Sequence, residues 1–346
     1  MLDALEAHLK TGADLSRAQI EDAVALLVDP GIAAGDKAAF LTALAVKGEV
    51  IEEIEVFAQA LLLRAIPVPV DPATRALEIL DVCGTGGDQL NTFNISTAVA
   101  FVAASGGLCV AKHGNRAMTS KSGSADVLET LGIRIDWTPE EAGRVLRDQG
   151  FVFLFAQSYH PTFKHIGPAR RLCAGRNQRT IFNFLGPLLN PVRPSAQLVG
   201  VPRPDLCEPL ARVLKSLGVR RAMVVCGQVG DSYLDELSTL GDSTIAEFYQ
   251  DRGFAVSQLS PGGLPVQQAV LADLAGGDKA ENAVIVTRVL SGQDRGPKRD
   301  AVLLNAGAAL FVGGKTRSIV EGWEMAEHLI DSGQAIAKLD ALRAVR

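Results

Sequence analysis

Between Asp81 and Leu131 the chain reads DVCGTGGDQLNTFNISTAVAFVAASGGLCVAKHGNRAMTSKSGSADVLETL, and its chemistry-bearing residues fall into two groups. The first is Gly84-Thr85-Gly86-Gly87-Asp88, which closes an apolar run. Glycine there permits positive φ and lets backbone N–H groups approach an anion. The group lacks the spacing of a dinucleotide-binding GxGxxG and the GK[ST] ending of a P-loop, and taken alone it is also what a tight turn requires. Asn94-Ile95-Ser96-Thr97 then opens the apolar run AVAFVAASG. Ser96 or Thr97 is expected to cap a helix there, and the free N–H groups and dipole of such a turn favour phosphate.

The second group follows the apolar run LCVA: Lys112, His113, Gly114, Asn115 and Arg116, then the hydroxyls of Thr119, Ser120, Ser122 and Ser124. A lone Lys or Arg is usually solvated. Cations among hydroxyls and glycines, set between an apolar strand and a helix, make an oxyanion cradle. His113 reads as a structural histidine, since nothing beside it marks it as a base. Two polar loops of this kind predict one anionic ligand held between them.

The elements that must position these loops divide into two blocks. Residues 1–66 read as helices only, with apolar stripes at helical spacing such as Ile20, Val24 and Leu27 behind a capping Ser16. VPVDP at 68–72 breaks helix and strand alike and serves as a linker. Beyond it, strand-like runs (LEILDV, LCVAK, FVFLF, QLVGV, RAMVVCG, TIAEFY, FAVSQL) alternate with helical ones. That alternation predicts an α/β fold: a small N-terminal α-helical bundle domain, residues 1–70, joined by part of 165–195, and a larger α/β domain, residues 75–346, with a central, largely parallel sheet. Ligands in such sheets bind beyond the carboxyl ends of the strands, where both polar loops fall.

Composition narrows the function classes. The chain is 47% hydrophobic and 21% charged with net charge −5, as expected of a globular protein that does not bind nucleic acid. The cysteines, at 83, 109, 173, 207 and 226, form no CxxC pair and read as buried reduced thiols, which points to the cytoplasm. The opening MLDALEAHLK reads as an amphipathic helix rather than a signal peptide, and no apolar run has the ~20 residues of a membrane span.

GTGGD, TFNIST and KHGNRxxxSKSGSADVLE, in this order and spacing, resemble the anthranilate phosphoribosyltransferase family, and the resemblance extends through HPTFKHIGPARR, RTIFNFLGPLLNP, QLVGV and LDELS. It implies an enzyme that transfers phosphoribose from phosphoribosyl diphosphate (PRPP) to the amine of anthranilate in tryptophan biosynthesis. By matched position it implies that PRPP is held by Gly84, Gly87, Asp88, Thr92, Asn94, Ile95, Ser96, Thr97, Lys112, His113, Gly114, Asn115, Arg116, Ala117, Met118, Thr119, Ser120 and Ser124. Anthranilate would meet Gly84, Asn115 and Arg170. Ser96 with Asp235 and Glu236 would hold Mg²⁺, as two ions per subunit when PRPP is bound. Lys112 and Arg170 would carry catalysis, and the helical domain would mediate a homodimer.

Elementary chemistry agrees with the implied roles. Hard carboxylate oxygens suit Mg²⁺ bridged to phosphate, and a planar guanidinium matches an aromatic carboxylate in bidentate fashion. An aromatic amine is a neutral nucleophile that needs no strong base, so positioning and leaving-group stabilisation would carry the reaction. Two segments depart from the family pattern: RRLCAGRNQR after Arg170 and GQVGDSYL before Asp235 are longer than usual, and Cys226-Gly227 replaces a His-Gly. They leave open a phosphoribosyltransferase or nucleoside phosphorylase of the same fold with another acceptor. A non-enzymatic nucleic-acid-binding relative would need a basic face and degraded loops.

Overall fold

The protein is described by a computed structural model over residues 2–117, 121–249 and 253–345. Four helices open it: α1 (Leu2–Lys10), α2 (Arg17–Val28), α3 (Ala34–Lys47) and α4 (Ile51–Leu62). Ser16 caps α2 as expected. Its hydroxyl accepts from the Gln19 N–H, and the Gln19 side chain accepts from the Ser16 N–H. The break at VPVDP carries only the short α5 (Pro72–Arg75).

Strands and helices then alternate: β1 (Ile79–Gly84), α6 (Ile95–Ser105), β2 (Cys109–Gly114), α7 (Ser124–Thr130), α8 (Pro139–Gln149), β3 (Phe151–Phe155), α9 (Ala156–Tyr159), α10 (Gly167–Ala174) and β4 (Ala196–Gly200). Next come α11 (Cys207–Ser216), β5 (Arg221–Val229), β6 (Ser232–Leu234), β7 (Ser243–Tyr249) and β8 (Ala255–Leu259). Four helices end the chain: α12 (Lys279–Leu290), α13 (Pro297–Val312), α14 (Ile319–Asp331) and α15 (Gln334–Arg343).

The sheet order is β3-β2-β1-β4-β5-β7-β8, with β6 paired to β5. β1 to β5 run parallel, and β6, β7 and β8 are antiparallel additions. The order reverses between β1 and β4, which is where an open α/β sheet has its ligand crevice. β6 is not among the strands expected from sequence. The long segment before Asp235 folds as a hairpin on the end of β5, pairing Gly227 with Leu234 and Val229 with Ser232. The extra residues therefore project outward, and the acidic pair stays at the strand end.

Layered cores hold the sheet. On one face Phe101, Val102 and Ala103 of α6 pack with Leu304 and Ala308 of α13. On the other, Val199, Val224 and Phe248 share a single apolar cluster with α11 and with Phe40, Leu44, Phe57 and Leu61 of the N-terminal helices. The bundle is thus fused to the sheet through a common core. The segment 165–195 crosses into it: α10 lies on α3, the buried Lys37 ammonium donates to the Asp29 and His165 carbonyls, and Ile181, Leu185 and Leu188 join the shared cluster.

Candidate active site

The first loop leaves β1 with the positive φ that its glycines permit. Gly86 and Gly87 take φ of 72° and 89°, and Gln89 and Asn91 are also left-handed at 61° and 55°. Gly84 is required for a different reason. A Cβ there would lie 2.2 Å from Asp235 Oδ2. The Gly86 N–H donates to that same oxygen at 2.7 Å. The loop returns through Thr92, which bridges Ala275, and the Phe93 N–H donates to Leu274 O at 3.1 Å. Asp88 turns its carboxylate to its own loop, accepting the Leu90 N–H at 3.1 Å.

The start of α6 differs from expectation. The N-cap position is Asn94, which makes no side-chain cap bond; Ile95, Ser96 and Thr97 form the first turn instead. The Ser96 N–H is satisfied by Glu236 Oε1 at 3.1 Å, from 140 residues away. A carboxylate capping a helix N-terminus is favoured by charge as well as by the hydrogen bond. The Asn94 side chain is held instead by Asn282, whose amide donates to it at 2.9 Å. Thr97 Oγ1 is buried without a partner among the described residues.

The second loop leaves β2. Lys112, 2% exposed, lies across the sheet, and its ammonium donates to Val82 O at 2.5 Å and Ser96 Oγ at 3.2 Å. Burial pushes its pKa down, against the pull of Cys83, Asp81, Glu236 and Asp235. Asp126 closes the loop by accepting the Ala117 and Gly123 N–H groups at 3.1 and 3.0 Å. Arg116 pairs with Asp126 and Glu129 and lies 5.4 Å from the centre of the Phe155 ring. Asn115 accepts from Gln157 at 3.3 Å, and Ser124 donates to Asn115 O at 3.3 Å, beside Gly114. Met118, Thr119 and Ser120 lie outside the described residues.

Asp235 and Glu236 are brought to the glycine loop and the first turn of α6 from the end of the β5–β6 hairpin. Burial, with Asp88 next to it, pushes Asp235 up to about 7; burial, with Asp235 beside it, pushes Glu236 up to about 8. Two carboxylates so crowded call for a cation. Among the described residues no group of three His, Cys, Asp or Glu side chains could hold an ion alone. The donor set fits Mg²⁺ of the kind that takes one or two carboxylates and completes its shell with water and substrate phosphate.

Arg170 sits on α10 with its guanidinium 5.5 Å from the centre of the Phe182 ring. Phe182 meets Phe163 at 5.8 Å, Phe163 meets His160 at 5.0 Å, and His160 meets His113 at 5.3 Å. An aromatic file therefore connects Arg170 to the second loop. His160, Phe182, Asp81, Asn190 and Asn282 were not singled out in the sequence. Their partners are remote in the chain, and only HPTFKH and GPLLNP, as motifs, could have pointed to two of them.

Comparison with known proteins matches this architecture throughout. Residues 4–65 fit the helical bundle domain of a glycosyl transferase family, and residues 76–336 fit its a/b domain. The chain is 46% identical over 342 residues to an anthranilate phosphoribosyltransferase of Symbiobacterium thermophilum, covering 99% of this chain and 97% of that one. It is 48% identical over 307 residues to that of Caulobacter vibrioides, covering 89% and 86%. Among solved structures, the anthranilate phosphoribosyltransferase of Thermus thermophilus superposes with a TM-score of 0.88 at 38% identity, over 98% of each chain. That of Saccharomyces cerevisiae, in complex with PRPP and Mg, superposes with a TM-score of 0.86 at 30% identity, over 99% of this chain and 96% of that one.

Proposed function

The chain belongs to the anthranilate phosphoribosyltransferase family, and from that membership we propose the part each residue of its site plays. The reaction transfers the 5-phosphoribosyl group from PRPP to the amino group of anthranilate, giving N-(5-phosphoribosyl)anthranilate and diphosphate, a step of tryptophan biosynthesis. The observation that carries the reading is the meeting of the glycine loop and the first turn of α6 on Asp235 and Glu236, with Lys112 of β2 reaching Ser96 Oγ beside them: Gly86 N–H on one carboxylate, Ser96 N–H on the other.

PRPP lies between the loops. Gly84, Gly87 and Asp88 line its ribose and diphosphate side, with Thr92, Asn94, Ile95, Ser96 and Thr97 at the positive end of α6. The run from Lys112 through Ser120, with Ser124, encloses it from the other side. Ser96, Asp235 and Glu236 would hold Mg²⁺, as two ions per subunit when PRPP is bound, and the metal would supply positive charge against the departing diphosphate. Lys112, whose ammonium donates to Ser96 Oγ, adds its charge at the same place. Arg170 grips the anthranilate carboxylate and, with Gly84 and Asn115, aims the amine at ribose C1. The amine attacks as the C–O bond to diphosphate breaks, with inversion. The nucleophile is neutral, so the site needs no strong base.

We further infer a homodimer through the helical domain, where Val46 and Leu63 stand exposed. The enzyme works in the cytoplasm; no helix among the described residues is long and apolar enough to cross a membrane. The division into a helical domain of residues 1–70, with part of 165–195, and an α/β domain of 75–346 is the frame in which the cleft would close. The acceptor is tested by separating products from PRPP with anthranilate and from pyrimidine nucleosides with phosphate. Turnover with the first alone is expected, and turnover with the second would reassign the acceptor.

A further inference from the structure

The strands that bear the two loops separate early. β1 and β2 pair only at Ile79 with Cys109 and Leu80 with Val110. Yet β1 continues beside β4 to Gly84 and Gly200, and β2 beside β3 to Gly114 and Phe155. The continued ladder would next have joined Asp81 to Ala111. A buried polar cluster fills that place instead, with Asp81 0%, Lys112 2% and Asn190 2% exposed.

The cluster is well satisfied. Asp81 accepts the His113 N–H on Oδ1 at 3.2 Å and the Asn190 amide on Oδ2 at 2.8 Å, and the Cys83 thiol lies 3.7 Å from Oδ2. The Asn190 amide also donates to Ala111 O at 2.7 Å, and its Oδ1 accepts the Val192 N–H at 3.0 Å. Lys112 spans the same opening to reach Val82 O at 2.5 Å. Burying a carboxylate and an ammonium in a sheet is costly unless every group is paired, and removing one partner strands the others. The cost here is offset by a connection that an apolar ladder could not make. Asn190 belongs to the crossing segment, which also carries Leu189, whose carbonyl meets His160 Nε2 at 2.9 Å, and Gly186, whose backbone bonds His113.

Resting on the transferase reading above, we propose that Asp81 and Asn190 act as one positioning unit. They fix Lys112 and the second loop against the glycine loop, and they tie both to the segment that runs back to the acceptor side. Neither residue has to touch PRPP. Their effect on it passes through the His113 N–H and Ala111 O, which flank Lys112.

The test compares D81N, N190A and D81N/N190A with the wild type by calorimetric binding of PRPP with Mg²⁺, steady-state kinetics and thermal melting. In D81N an amide faces either the Asn190 amide or the His113 N–H, so donor meets donor whichever way it turns. PRPP binding and kcat/KM for PRPP should each weaken about tenfold or more in D81N and in N190A. The double variant should be no worse than about the poorer single one, because N190A removes the clash that D81N creates. Wild-type PRPP affinity in folded D81N and N190A would overturn the proposal. So would single-variant losses that multiply in the double variant. A purely structural role lowers the melting temperature and leaves the affinity of the folded fraction unchanged. If D81N does not fold, N190A, which introduces no clash, decides the matter. The binding readout needs no acceptor, so a wild type that binds PRPP but fails to consume anthranilate would count against the functional reading alone.

Discussion

The Gly86 N–H donates to Asp235 Oδ2 at 2.7 Å, joining positions 149 residues apart. Through this bond the glycine loop and the acidic pair form one surface. Gly200 at the end of β4 lies directly beneath: a Cβ there would sit 1.6 Å from Asp235 O. Close backbone approach, more than loop flexibility, fixes the residue types on this wall.

Gly84→Ala follows from that approach. Its methyl would sit 2.2 Å from Asp235 Oδ2 and displace the carboxylate. A misplacement on the order of 1 Å in a positioning group can cost about 10²-fold in rate. The variant should fold with an unchanged far-ultraviolet spectrum and lose about that factor in kcat/KM for PRPP. Wild-type kinetics would show that Asp235 can move without consequence.

The acidic pair carries a second prediction. Burial, with Asp88 beside Asp235 and Asp235 beside Glu236, raises Asp235 to about 7 and Glu236 to about 8, so the folded protein holds protons there that the unfolded chain gives up. A raised carboxylate pKa weakens the fold as pH rises from about 4 to about 8. Asp235→Asn with Glu236→Gln removes that penalty and keeps acceptors for Gly86 and Ser96. The double variant should therefore melt higher than the wild type at pH about 8, while losing Mg²⁺-dependent PRPP binding. A lower melting temperature with binding intact would refute both halves.

Histidine supplies the opposite slope. Burial, with His160 beside it, holds His113 down at about 3; burial holds His160 at about 4; the ordinary value is 6.5. The folded state thus favours the neutral rings. Their contribution is complete above about 6.5 and is lost as pH falls toward about 4 and then about 3. In His160→Gln the amide can still donate to Leu189 O but does not titrate. Melting temperatures measured across this range should fall less steeply below pH about 6 in the variant than in the wild type. Parallel acid limbs would show that His160 is protonated in the fold.

Arg170→Ala should raise KM for anthranilate about tenfold or more and leave KM for PRPP near its wild-type value, as removal of one charge-assisted pair to a carboxylate implies. An unchanged KM for anthranilate would move the acceptor site away from the Phe182 face.

The two loops were legible in the sequence because their signals are local. Glycines, hydroxyls and cations cluster within a few residues of a strand end, and the alternation of strand and helix sets them at the carboxyl edge. The capping of α6 was misread for the same reason. Ser96 is a good capping residue by type, but the helix starts one residue earlier at Ile95, which leaves Ser96 inside the first turn with its own N–H donated to Glu236. The meeting of Asp81 with Asn190 was invisible because it spans 109 residues, in a gap that exists only once β1 and β2 diverge. The β5–β6 hairpin was within reach: Gly230-Asp231 between Val229 and Ser232 is a two-residue turn signal, and Gly230 takes a φ of 59°.

The loss of anthranilate fluorescence on adding PRPP and Mg²⁺ tests the central claim most directly. The wild type should quench it steadily, only with both additions present, and Lys112→Ala should slow it about 10²-fold or more, as the role proposed for Lys112 on the leaving group requires. Undiminished fluorescence with folded wild-type protein that binds PRPP, or a Lys112→Ala rate equal to wild type, would contradict the account.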